Sequence, residues 1–142
     1  MSAAVAQTLA HQLALAGMQG HCVPLDPGAA AADLATLTHD DVLVVFNLWR
    51  HFPETVRLVR AARATGARTT LFTDSEPASV VGDGDVVLHV VIEAVELSDS
   101  LTAMLALANA LVIAVALDAP DRTLERVKAI DEVYDRLGVF AE

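Results

Sequence analysis

The chain has 142 residues, enough for one domain with a core that needs neither disulfides nor metal. Its net charge of −10 excludes the clustered Lys and Arg that a phosphate backbone demands, so the chain alone is not expected to bind nucleic acid. A hydrophobic fraction of 54% with 4% aromatic residues leaves Ala, Val and Leu to do the packing, and a single Cys22 rules out an internal disulfide.

In chain order, Ala3–Ala16 carries apolar residues at helical spacing (Val5, Leu9, Leu13, Ala16), with Ser2 placed as N-cap and Gly17 as stop. His21–Leu25 reads as a short strand, and Pro24 confines it to an edge or a strand end. Cys22 within it is expected to be a buried small hydrophobe. Asp26-Pro27-Gly28 turns the chain into a short helix over Ala29–Leu37. Val42–Phe46 is an unbroken apolar run, as expected of a strand covered on both faces. Pro53 opens a helix that runs to Thr65 and closes at Gly66. Arg68–Thr73 is a strand, Glu76–Val81 a turn of helix and Asp85–Ile92 a further strand.

Ser98 or Asp99 then caps a nearly all-apolar helix through Leu117. That helix is shorter than the roughly 20 residues of a membrane span and is flanked by Asp99 and Asp118. It is read as buried between a sheet and a neighbouring subunit, with no membrane insertion. Residues 1–20 lack a secretory-signal pattern. Arg122–Leu137 forms a last amphipathic helix, ending at Gly138. Strand and helix alternate in one unit, residues 1–142, so the class is α/β with a parallel sheet, read as cytoplasmic.

The run Thr38-His-Asp-Asp-Val-Leu-Val-Val-Phe46, Pro53-Glu-Thr-Val56, Ala61-Ala62, Thr65-Gly-Ala-Arg68 and Phe72-Thr-Asp-Ser75 resembles a sugar isomerase (SIS) domain. Asp83-Gly-Asp-Val-Val-Leu88 and Asp99-Ser-Leu-Thr-Ala103 extend the similarity, which is nearest to the SIS domains of RpiR-type transcriptional regulators. The resemblance implies a three-layer α/β/α sandwich with a parallel sheet in flavodoxin-like strand order. It also implies a homodimer that binds a phosphorylated sugar at the strand carboxyl ends; no cofactor is expected. In regulators of this kind the DNA-binding helix-turn-helix precedes the SIS domain.

The resemblance places phosphate between a Gly-rich, Ser-bearing loop before the first helix and a second loop, Ser-x-Ser-Gly-x-Thr. Of the first, Ser2 remains. In the second, Asn47, Trp49, Arg50 and Phe52 replace the small residues, and a Trp-Arg pair cannot let backbone approach an anion as Gly does. Two readings follow. Arg50 substitutes a forked cation for the backbone cradle, with Asn47 and His51 as added donors; alternatively, Trp49 and Phe52 fill the pocket and leave an assembly module. Thr73, Asp74 and Ser75 are candidates for sugar hydroxyls, or for turn and capping chemistry. Glu93 and Glu96 are carboxylates that a degenerate isomerase could use as base; neither sits in an isomerase motif, so no catalytic residue is assigned. Arg57, Arg60 and Arg63 read as a solvated helix face. His11, His21, His39, His51 and His89 show no metal-ligand spacing, and His89, inside a strand, reads as structural.

The family's first strand, which would lie between the Cys22 and Val42 strands, has no residues in this sequence. The gap is expected to close, by direct pairing of those two strands or by an exchanged strand, because each orphaned backbone group costs on the order of 1–3 kcal/mol.

Overall fold

The computed structural model describes residues 2–48, 52–74, 86–92 and 100–140. Its elements are α1 (Ser2–Leu15), α2 (Pro27–Leu34), β1 (Val42–Asn47), α3 (Pro53–Ala64), β2 (Arg68–Thr73), β3 (Val86–His89), α4 (Thr102–Asp118) and α5 (Pro120–Leu137). The three strands are parallel, in the order β1-β2-β3. That sequential order is what one side of a doubly wound sheet requires.

Alternation along the strands sends side chains to two covered faces. Leu43, Val45 and Leu71 meet Val56 and Val59 of α3. Val44, Phe46, Phe72 and Leu88 meet Val5 and Leu9 of α1 and Met104 and Ala108 of α4. The layers are therefore α3, sheet, then α1 with α4, and α2 sits outside α3 through Ala30, Leu34, Leu58 and Ala62.

Local chemistry explains the element ends. Asp26 caps α2, its Oδ1 accepting the Ala29 N–H at 2.8 Å, with Pro27 in the first turn; the helix therefore starts two residues before the expected Ala29. α5 likewise starts at Pro120 rather than Arg122. Gly17 ends α1 at φ 82°, and a Cβ there would lie 3.0 Å from Arg122 Cγ, so glycine lets α1 close against α5. Ser98 and Asp99 lie outside the described residues, as does the helical turn expected at Glu76–Val81. The Thr102 N–H at the start of α4 instead donates to Ser100 Oγ at 3.3 Å.

Three expectations are corrected. Residues 21–25 form no strand: Pro24 has no N–H for a ladder, and Val23 packs instead on the α2–α3 cluster. With no sheet to bury it, Cys22 is exposed. The Cys22 segment and β1 do not pair, and among the described residues β1 is an edge strand bonded to β2 alone.

Asp41, just before β1, closes a turn: its Oδ2 accepts the Thr38 N–H at 2.7 Å and the Thr38 hydroxyl at 2.9 Å. Those bonds, with His39 nearby, hold its pKa below the ordinary 3.8. A depressed folded-state pKa adds stability that is present at neutral pH and fades as pH falls through that lowered value. Asp41→Asn should therefore lower the urea midpoint near pH 7, and the difference from the parent should shrink in acid and vanish only once the pH is below that lowered value.

Candidate functional site

The strands share one carboxyl end, and their last residues are in register: Asn47 opposite Thr73, and Thr73 opposite His89. All three fall on the α3 side, because they continue the Leu43–Val45, Leu71 and Val87 alternation. A polar row thus crosses the sheet where parallel sheets bind ligands. Asn47 is 3% exposed and Thr73 0%, so they form its floor, whereas His89 is exposed. Asn47, Thr73 and Asp74 are each engaged in interactions within the chain. Beyond the row, the Val90 N–H donates to the Thr73 carbonyl at 2.8 Å and carries the pairing one step further.

Three helix N-termini face the same rim. α3 is the next element after β1, and Phe52 at its N-cap position offers no side-chain hydrogen bond to the first turn. α4 starts beside β3, where the Ser100 N–H donates to the Ile92 carbonyl at 2.9 Å. α1 is oriented by its other end: Thr123 Oγ1 donates to Ala16 O at 3.2 Å and Arg126 Nε to Ala14 O at 3.1 Å, which ties its last turn to the start of α5. Because α5 starts where α4 ends, that end of α1 is remote from the rim, and Ser2 opens the helix on the rim side. The first turns of α1 and α4 hold no acidic residue; that of α3 holds Glu54, which Arg57 Nη2 contacts at 2.6 Å. The starts of α1 and α4, with no carboxylate in the first turn, favour an anion more than that of α3, where Glu54 stands.

The structure therefore brings together Asn47, Thr73 and Asp74, with the start of α1 at Ser2 on the same side. Arg50, His51 and Ser75 lie outside the described residues, as do Trp49, Glu93 and Glu96. Arg57 and Arg60 are exposed on α3, as a solvated face should be; partial burial, and then Arg60, lower the pKa of Arg63. The strand expected to run to residue 92 ends at His89, which therefore stands at the strand's carboxyl end and not inside it. A shallow cleft of about 380 Å³ between α2 and α3 is lined mainly by apolar residues, Ala31, Leu34, Leu58 and Ala61 among them, with Arg57 and Thr65 as its polar members.

The SIS domain family model matches residues 1–114. The chain belongs to the SIS domain family. Among solved structures it is similar to the sugar isomerase domain of an RpiR transcription factor from Sphaerobacter thermophilus. The TM-score is 0.80 at 28% identity, over 92% of this chain and 73% of that one. No curated protein matches the sequence. α5 of this SIS domain falls beyond the matched residues, and no single helix among those described is long and apolar enough to cross a membrane.

Proposed function

We propose that this SIS domain is a non-catalytic, cytoplasmic sensor of a phosphorylated sugar or sugar derivative, bound at the strand carboxyl ends. The observation that carries the reading is the row Asn47–Thr73–His89 in register at the strand carboxyl ends, in a chain similar to a transcription factor's sugar isomerase domain. Arg50, between β1 and α3 in the sequence, supplies the cation for phosphate, His51 and Asn47 add donors, Ser2 lies at the start of α1, and Thr73, Asp74 and Ser75 meet sugar hydroxyls. Helix dipoles and a forked guanidinium together replace the glycine-lined cradle.

Titration calorimetry with glucose 6-phosphate, fructose 6-phosphate and glucosamine 6-phosphate tests this. One of them is expected to bind, and Arg50→Ala to weaken it about ten- to a hundredfold, the worth of a charge-assisted hydrogen bond. Failure of all three to bind would contradict the reading. Turnover of any of them, lost in Glu93→Gln or Glu96→Gln, would instead mark a degenerate isomerase.

A second reading, an assembly module, is favoured by one observation: α4 and α5 leave Ile113, Leu117, Leu124 and Leu137 more than half exposed. Apolar faces of that kind mark interaction surfaces. We assign this face to a second copy of the chain, a role compatible with sensing.

A further inference from the structure

We propose that the second half of α5 is a docking helix that lies in the cleft between α2 and α3 of a second copy of the chain, an inference that rests on the assembly reading above. α5 is held to its own chain at its start, where Arg122 meets Gly17, Thr123 Oγ1 donates to Ala16 O and Arg126 Nε donates to Ala14 O. No residue of α5 is buried. From Val127 onward it carries apolar side chains at i, i+3, i+7 and i+10 (Val127, Ile130, Tyr134, Leu137), which is one face of a helix. Val127 and Leu137 are exposed, and the exposed Phe140 widens the face by meeting Tyr134 edge-on, 5.4 Å between ring centroids. Val127–Leu137 makes three turns, about 16 Å, and a helix that short is marginal in water without something to pack on.

The cleft supplies what that face lacks. Its apolar lining lies between two helices, and the small side chains of Ala31 and Ala61 let a third helix approach to the ordinary packing distance of about 8–10 Å. The charges match as well. α3 carries three arginines against one carboxylate, Glu54, in a chain whose net charge is −10. Arg57, which lines the cleft and touches Glu54, and Arg60, one turn on, are both exposed. On α5, Asp131 and Asp135 are exposed one turn apart, beside Ile130 and Tyr134. α5 is tied to α1, across the sheet from α3, so the cleft it fills belongs to another copy. Each copy gives one helix and receives one, and the pair closes.

A charge swap read by sedimentation velocity tests this. Arg57→Glu with Arg60→Glu reverses the cleft, and Asp131→Arg with Asp135→Arg reverses the helix. Each double variant alone sets like charges against each other twice, so its dimerisation should weaken more than about tenfold. An equimolar mixture of the two restores opposite charges at both contacts and should sediment as a dimer, which also shows that both variants are folded. A double variant that dimerises as the parent does, or a mixture that stays monomeric, overturns the docking and leaves the assembly reading standing. A parent chain that is itself a monomer overturns both.

Discussion

Replacing Phe72 by alanine should cost about 3–5 kcal/mol, the range for deleting a buried aromatic side chain. Phe72 lies in the middle strand, is fully buried, and joins the sheet to both helices of one layer through Val5, Leu9, Met104 and Ala108. Its ring centroid is 4.7 Å from that of Phe46, so the truncation also removes an aromatic contact between strands. Domains are stable by roughly 5–15 kcal/mol in all, so a large share of the total is at stake. Urea unfolding followed by far-ultraviolet circular dichroism measures it. Phe72→Leu, which keeps most of the apolar volume, should lose roughly half as much or less. A loss below about 1 kcal/mol for the alanine variant would mean that α1 and α4 do not close on the sheet as described.

The second large effect is on assembly. Leu117, near the end of α4, is 74% exposed, and Leu124, in the first turns of α5, is 53% exposed. The two helices meet at 104°, so these residues flank a bend and do not continue one rod. The double variant Leu117→Glu, Leu124→Glu puts two carboxylates on the face assigned to a second copy. Burying unpaired charge costs several kcal/mol, and each 1.4 kcal/mol is tenfold in affinity, so dimerisation should weaken more than about a hundredfold. Sedimentation velocity should show a dimer for the parent chain and a monomer for the variant, with an unchanged circular dichroism spectrum. A parent chain that sediments as a monomer would remove the assembly assignment.

Much of the architecture was legible because its signals are local. The apolar run Val42–Phe46 needs two covered faces, Pro53 presets the first turn of α3, and Gly66 at φ 91° ends the helix where an L side chain would be strained. The strand expected at His21–Leu25 failed because a strand exists only with a partner. Pro24 withdraws a donor, and the far edge of β1 has no strand partner among the described residues. Cys22 is exposed for the same reason, since burial is a property of the neighbour and not of the residue.

The site was legible in part. Asn47 and Thr73 were proposed from their position at strand ends, and the register places them side by side. What sequence could not supply was depth: both sit in the floor, and the exposed member of the row is His89. Whether a strand stops at residue 89 or 92 depends on hydrogen bonding to β2, which leaves little mark in a run of valines.

The central claim is that the rim at the strand carboxyl ends receives a phosphorylated sugar. A nitrogen-15 chemical-shift titration of the whole chain with the hexose phosphates tests it most directly. Shifts should concentrate at Asn47, Leu48, Thr73, Asp74, His89 and Val90 and in the first turns of α1, α3 and α4. An unperturbed spectrum at millimolar ligand, or shifts gathered at Ala31, Ala35 and Ala61 between α2 and α3, would contradict it.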